Sequence, residues 1–341
     1  MTPRRLRLIG AAAAAAAALA LAGCSSASDG SGSQPTSSAA ASAVTIHDAF
    51  GDTVIKTKPK RVVTLGWGST EAALAIGVDP VAMPFQAYAG DKNGVLPWIK
   101  DYVAKQKLTM PKVLPNTTDD PPYEAIAAAK PDLILAPYSG LTDKQDKLLK
   151  AIAPTVAYPS QPWATPWKDI ISISGKALFE PAKATKVLDG IDKQIADAAA
   201  AHPEFKGKSI AEVWASPSEF DVYKKEDPRV QFALDLGFTS APSVDQLANG
   251  SQTFYYALST EKVDQLKSDV LVSYGDTEAS QKAFLTSSYG SGMDQVRAGA
   301  VAQLTGPAFI SAVSPPTALS LPWGLKDYVA ALSKAAKAAS K

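Results

Sequence analysis

Five aromatic residues, Trp67, Tyr88, Tyr138, Trp214 and Tyr274, stand at or just after the ends of short apolar runs. Indole and phenol rings wall off the organic part of a ligand, while their N–H and O–H groups reach its oxygens. Arg229 and Arg297 add guanidinium groups that suit an anionic partner. The set fits capture of a bulky, partly apolar, oxygen-rich molecule. The competing reading of each residue is structural, because Trp and Tyr often anchor cores and Arg is usually solvated. His47 and His202 are the only histidines. A bare zinc or manganese site draws on a cluster of His and carboxylates, which this pattern does not offer. Haem ligation through His is equally poorly served, leaving Tyr ligation open. No phosphate-binding glycine loop is visible, and no histidine stands near a candidate nucleophilic serine.

Cys24 is the only cysteine, so it forms no internal disulfide. It closes the run Leu21-Ala22-Gly23-Cys24, which resembles the lipobox read by the bacterial lipoprotein machinery. Before it, Arg4, Arg5 and Arg7 precede an apolar, alanine-rich run from Ile9 to Ala20. That run is shorter than the roughly 20 residues a membrane span needs and has the flanks of a signal peptide. Residues 1–23 are therefore expected to be a lipoprotein signal peptide. Residues 24–43, almost all small or polar, are expected to be a flexible tether from lipidated Cys24. The chain holds 34 Lys and Arg against 33 Asp and Glu; without the three leader arginines the balance is 31 to 33. That charge gives no reason to expect a nucleic-acid partner.

The chemistry-bearing aromatics need a scaffold, and the body supplies an alternating one. Arg61–Leu65 reads as a buried strand, followed by a helix from Ser69, a plausible N-cap, to Ile76, with Gly77 as the stop. Tyr123–Ala129 reads as a short helix and Pro131–Ala136 as a strand. Thr142–Ile152 reads as an amphipathic helix leading into the strand Thr155–Tyr158. The alternation indicates a parallel sheet flanked by helices. The second half echoes the first: Glu124 to Leu135 aligns without a gap to Glu261 to Val272, each a helix running through Lys-x-Asp into a strand. Between the halves, Pro166–Leu178 and then Ala182–Ala201 read as helices. The second is about 30 Å long at 1.5 Å per residue, and it ends before His202-Pro203.

Several ordered pieces together resemble a known family. They are Val44-Thr45-Ile46-x-Asp48-x-x-Gly51 leading to Pro59-x-Arg61-Val62-Val63, Glu71 to Gly77-Val78, Glu124-x-Ile126 to Lys130-Pro131-Asp132-Leu133-Ile134, and Leu149-x-x-Ile152-Ala153-Pro154-Thr155-Val156. The chain is similar to substrate-binding proteins of ABC importers, of the helix-linked class that carries iron-siderophores, haem and cobalamin. Gly90 to Trp98 and Pro316 to Leu325 make it most similar to actinobacterial siderophore-binding lipoproteins. The resemblance implies two Rossmann-like α/β lobes with mainly parallel sheets, joined by one long α-helix, with the ligand cleft between them. The implied segments are 44–165 for the N-terminal lobe, 166–203 for the linker helices and 204–341 for the C-terminal lobe. It also implies a monomer that is not an enzyme, needs no cofactor, and is held by its lipid on the extracytoplasmic face of the cell membrane. Its ligand would be a ferric siderophore delivered to an ABC permease, with cobalamin or haem as alternatives and a lipid-anchored hydrolase behind them. The family docks on its permease through one exposed glutamate per lobe, here Glu124 and Glu226 by motif position. Where some hydroxamate binders of the family carry an arginine, this chain has Asn116 to Asp120.

Overall fold

The computed structural model describes residues 43–118, 120–250 and 254–340. The signal segment, Cys24 and the tether up to residue 42 lie outside the described residues. The chain from Ala41 onward forms one compact unit. No helix among the described residues is long and apolar enough to cross a membrane.

The unit begins with a hairpin of β1 (Val44–Asp48) and β2 (Gly51–Ile55), paired antiparallel. Buried Asp48 closes the turn by accepting from the Phe50 amide at 2.9 Å and ties the hairpin to the body by accepting from the Ala157 amide at 3.1 Å. The elements that follow alternate: β3 (Val62–Thr64), α1 (Ser69–Ile76), β4 (Ala82–Met83), α2 (Pro97–Gln106), β5 (Lys112–Val113), α3 (Tyr123–Ala128), β6 (Leu133–Leu135), α4 (Asp143–Lys150) and β7 (Thr155–Val156). The five strands β3 to β7 form an all-parallel sheet in the order β5-β4-β3-β6-β7. The strands read as unbroken apolar runs because both faces are covered. Val62 packs into the central core, and Val63, its neighbour, packs into a separate cluster with Ile126, Ile134 and Leu149. Helix α4 starts where its sequence directs: Thr142 and Gln145 form a reciprocal capping box. Helix α1 starts differently from expectation. Gly68, in the left-handed region at φ 76°, takes the N-cap position, and the Ser69 hydroxyl instead donates to the Leu65 carbonyl at 2.8 Å.

Two helices then carry the chain across, α5 (Trp167–Ala177) and α6 (Pro181–Ala201). Helix α6 gains one residue on the expected span because Pro181 is well suited to the first helical position. The second sheet is built from β8 (Ser209–Ala215), β9 (Phe220–Tyr223), β10 (Thr239–Ser240), β11 (Tyr255–Ala257), β12 (Val270–Gly275) and β13 (Val301–Thr305). Its order is β11-β9-β8-β12-β13, with β10 on the other end of β8. Strands β8, β10, β12 and β13 are parallel, while β9 runs antiparallel to both its neighbours, β8 and β11. Around it lie α7 (Pro228–Asp235), α8 (Pro242–Leu247), α9 (Glu278–Thr286), α10 (Asp294–Arg297), α11 (Pro307–Val313) and α12 (Ser320–Ala338). The echo between the halves survives in the strands, since β6 and β12 each pair with neighbours on both sides. Its helix does not: Thr260–Gln265 is a 3₁₀ segment where α3 is α-helical.

Side chains from the two sheets and both linker helices share one large core. Ion pairs add a strap on the outside, where Lys168 of α5 meets Asp192 of α6 at 2.9 Å and Asp235 of α7 at 3.2 Å.

Candidate ligand-binding cleft

In an open parallel sheet a crevice forms past the carboxyl ends of the strands, where the strand order reverses. In the N-terminal sheet that point lies between β3 and β6. A cavity of about 630 Å³ opens there and extends to the second lobe. The segments after all five parallel strands line it: Leu65–Trp67 after β3, Pro84–Gln86 and Tyr88 after β4, Leu114–Thr118 and Asp120–Pro122 after β5, Tyr138–Leu141 after β6 and Trp163 after β7. The second lobe contributes Trp214, Arg229, and residues between Ile310 and Pro315. Gly66 makes the switch point possible. Its backbone is left-handed, and a Cβ there would meet the Tyr138 carbonyl oxygen at 2.2 Å. This close approach lets the Trp67 amide donate to the Tyr138 carbonyl at 3.1 Å, fixing two lining aromatics on one backbone bond.

Of the expected ligand residues, Trp67, Tyr88, Tyr138, Trp214 and Arg229 come together here. Trp67 donates its indole N–H to the Pro315 carbonyl at 3.0 Å, a bond between the lobes. Tyr138, nearly buried, meets Trp163 edge-on with centroids 5.6 Å apart. Tyr88 is 41 % exposed and donates its hydroxyl to Asp276 at 2.6 Å across the cavity mouth. Burial raises the pKa of both phenols, so they are neutral donors at physiological pH.

Two expected ligand residues lie elsewhere. Tyr274 does not line the cavity. It is 1 % exposed, because its position in β12 turns its ring into the core, and its hydroxyl donates to Glu212 at 2.5 Å. Arg297 closes α10, ahead of β13, and so sits at the amino end of a strand rather than its carboxyl end. Its guanidinium pairs with Asp294 and donates to the Gly292 carbonyl at 2.6 Å.

Arg229 is the cation of the cavity. Its Nε donates to Asp227 at 2.7 Å, and its guanidinium lies 4.0 Å from the centroid of the Tyr223 ring. Burial works against its charge, but Asp227 and the surrounding phenols more than offset this and raise its pKa. The bond to Asp227 uses Nε alone, and the terminal amino groups make no hydrogen bond among the described residues. A charged fork with free N–H groups among aromatic walls is suited to an anionic, oxygen-rich guest.

Trp163 is the lining residue the sequence pattern did not single out. It is 43 % exposed, has a positive φ of 58°, and rests on Gly140, where a Cβ would meet its indole nitrogen at 2.3 Å. The available signal was a tryptophan inside the polar, proline-rich stretch 159–166, where no strand or helix pattern asks for a large ring. Gln86, Asn116 and Ser139 also line the cavity with polar groups, and they carried no sequence signal. His47 and His202 lie away from it, on Asp52 and Glu204. Among the described residues no group of three or more His, Cys, Asp or Glu is arranged to hold a metal ion.

Residues 62–308 match the model of the periplasmic binding protein family. The chain belongs to the periplasmic binding protein family. Among curated relatives of this binding protein, a probable siderophore-binding lipoprotein of Bacillus subtilis, YfiY, is 30 % identical over 233 residues, 67 % of each chain. The Fe(3+)-citrate-binding protein YfmC of the same organism is 28 % identical over 239 residues, 69 % of each chain. Among solved structures, PiaA of Streptococcus pneumoniae in complex with ferrichrome superposes with a TM-score of 0.78 at 31 % identity, covering 86 % of this chain and 99 % of PiaA. A periplasmic solute-binding protein of Mycobacterium smegmatis superposes with a TM-score of 0.73 at 27 % identity, over 86 % and 99 % of the two chains. The binding protein thus shares the two-lobe architecture expected from its sequence.

Proposed function

We propose that the protein captures a ferric siderophore in the cleft between its lobes and delivers it, chemically unchanged, to an ABC permease. One observation carries the reading: a permanently charged Arg229 with free N–H groups, set in a cavity walled by Trp67, Tyr138, Trp163 and Trp214. A ferric chelate presents an apolar shell and a crowd of polarised or anionic oxygens, and this lining is complementary to both. The names of its relatives, a probable siderophore binder and a ferric citrate binder, support the same class.

The remaining parts of the reading follow from it. Cys24 carries the lipid that holds the protein at the outer face of the cell membrane, and the tether to residue 43 gives the body reach. The chain then divides into an N-terminal lobe 44–165, linker helices 166–203 and a C-terminal lobe 204–341, and it works as a monomer. Glu124, exposed in the first turn of α3, and Glu226, exposed just before α7, are the docking acids, one per lobe. Asp227 is no substitute for Glu226, since it is buried against Arg229.

The deciding experiment is a titration of the purified protein with ferric hydroxamates, ferric catecholates, ferric citrate, haem and cobalamin. Quenching of its tryptophan fluorescence, to which Trp67, Trp163 and Trp214 contribute from the cavity wall, reports binding. Saturable quenching by one ferric siderophore class supports the reading. Tight binding of haem or cobalamin with no siderophore response overturns it.

A further inference from the structure

One buried carboxyl in the second lobe has no part in the reading above. Glu212 lies in β8 two residues before Trp214 and therefore on the same face of the sheet. It is fully buried; Oε2 accepts from the Tyr274 hydroxyl at 2.5 Å, and Oε1 has no partner among the described residues. A position that needed only volume would be served better by Leu or Met, because an incompletely bonded buried acid is costly.

Contacts run from this carboxyl to the cleft. The Tyr274 ring stacks on Trp214, with centroids 6.0 Å apart and planes 18° apart. It also meets Tyr223 edge-on at 5.8 Å, and Tyr223 carries the Arg229 guanidinium at 4.0 Å. Trp214 and Arg229 line the cavity. Tyr274 therefore joins Glu212 directly to Trp214 and, through Tyr223, to Arg229.

The charges around Glu212 are few. Asp227 and Arg229 come from the start of α7, Tyr223 from β9, Tyr274 from β12 and Tyr328 from α12. Asp221 lies two residues earlier in β9 than Tyr223 and acts on Arg229 rather than on Glu212. Arg229 is the one cation among these groups, and Asp227 already pairs with it. When Glu212 is ionised the group carries one uncompensated negative charge; when it holds a proton, none. Burial pushes the Glu212 carboxyl up to about 7, against the Tyr274 hydrogen bond, which favours the ionised form.

We propose that Glu212 is a positioning residue that couples ligand capture to protonation, acting on Arg229 by its charge and on Trp214 through Tyr274. This rests on the proposed role of the cleft as a site for an anionic chelate. An arriving anion adds negative charge beside Arg229 and so favours the neutral carboxyl. Capture just above the midpoint draws a fraction of a proton from solvent onto Glu212, about half of one at most for a coupling of about one pKa unit. Affinity for an anion is therefore highest at low pH and falls as pH rises through the carboxyl's midpoint.

Two measurements on the full chain test this. The first incorporates 5-fluorotryptophan, assigns the Trp214 fluorine resonance by Trp214→Phe, and follows it from about pH 5.5 to about pH 8.5. The expected result is a titration with a midpoint near neutrality that vanishes in Glu212→Gln. A flat Trp214 resonance in the unmutated protein, or the same titration in Glu212→Gln, overturns the proposal. Asp221→Asn serves as a control and should leave the midpoint in place.

The second measures affinity for ferric dicitrate, an anion, and for ferrichrome, which is neutral, over the same range. A loss of about tenfold for the anion, equivalent to one pKa unit of coupling, should disappear in Glu212→Gln. Comparison with the variant cancels pH effects on the chelate itself. An equal loss in both proteins overturns the proposal. If the unmutated protein binds neither chelate nor any other ferric siderophore of the panel, the siderophore reading fails and the fluorine titration alone decides the role of Glu212; if it binds an anionic one of them, that chelate takes the place of ferric dicitrate. Should Glu212→Gln not fold, calorimetry of the unmutated protein in buffers of different ionisation enthalpy decides instead: proton uptake on binding supports the proposal, and its absence refutes it.

Discussion

Replacing Arg229 by Met separates its action on the ligand from its action on the fold. A hydrogen bond to a charged group contributes about 1.5–3 kcal/mol, so the variant should bind an anionic chelate roughly 10- to 150-fold more weakly. The fold suffers as well. Asp227 is 1 % exposed, and its Oδ2 has no partner among the described residues even with Arg229 in place. Orphaning one member of a buried pair costs about 3–5 kcal/mol. Asp227 keeps the Arg229 backbone amide, at 2.8 Å, so the lower end applies. About 3 kcal/mol at roughly 2–4 °C per kcal/mol is a Tm loss of about 6–12 °C. Burial holds the Asp227 carboxyl above its ordinary value even with the guanidinium beside it, and loss of the guanidinium raises it further. A raised group supports the fold at low pH and ceases to as pH climbs, so the Tm deficit should be larger at about pH 8 than at about pH 5. Adding Asp227→Asn to Arg229→Met removes the orphaned charge. It should return most of the Tm and none of the affinity. Differential scanning calorimetry and fluorescence titration measure the two separately. Affinity that returns together with the Tm would show that Arg229 serves the fold and does not touch the ligand.

Other perturbations test other parts of the cleft and fold. Trp67→Ala and Tyr138→Ala each remove one aromatic wall and should cost about 1–3 kcal/mol of binding, measured by quenching of the remaining tryptophans; unchanged affinity in both would remove them from the ligand's surroundings. Glu204 accepts from Ser333 at 2.5 Å, and that bond, opposed by partial burial and aided by His202 and Lys337, lowers its carboxyl to about 2. A depressed acid supports the fold above its unfolded value of 4.5 and loses that support as pH falls, so Glu204→Gln should flatten the acid limb of a Tm-against-pH curve. Small-angle scattering should show only a slight contraction on ligand addition, because α6 links the lobes as one continuous helix; a large drop in radius of gyration would contradict this. Glu124→Arg with Glu226→Arg should leave binding by the isolated protein unchanged and block uptake in cells, and normal uptake would discard the docking assignment.

Much of the scaffold was legible because local physics dictated it. Helix α6 ends where His202-Pro203 forbids continuation, and the all-parallel sheet shows as apolar runs joined by helical ones. The place of Trp67 and Tyr138 in the cavity wall was legible because a parallel strand announces its own carboxyl end. Tyr274 was misplaced for a related reason. A strand's alternation says which residues share a face, but both faces of β12 are buried, and nothing local says which one leads to the cleft. Arg297 failed by strand polarity: it precedes β13 instead of following it. Trp163 depends on a contact with Gly140, 23 positions away, and on a backbone conformation that its own sequence does not encode. Gly68, with its left-handed backbone, took the N-cap position of α1 without any side-chain bond, and the Ser69 hydroxyl expected there turned to the Leu65 carbonyl.

The lobes are fastened across the cleft by the Trp67 indole on the Pro315 carbonyl and the Tyr88 hydroxyl on Asp276, and Lys168 ties both linker helices to the second lobe through Asp192 and Asp235. A receptor fastened in this way presents nearly the same outline empty as full. A permease that reads the positions of two distant acids would then receive little news of whether cargo is aboard. Empty copies would queue at the same door as loaded ones, and making more receptor than there is ligand to fill it would slow import instead of speeding it.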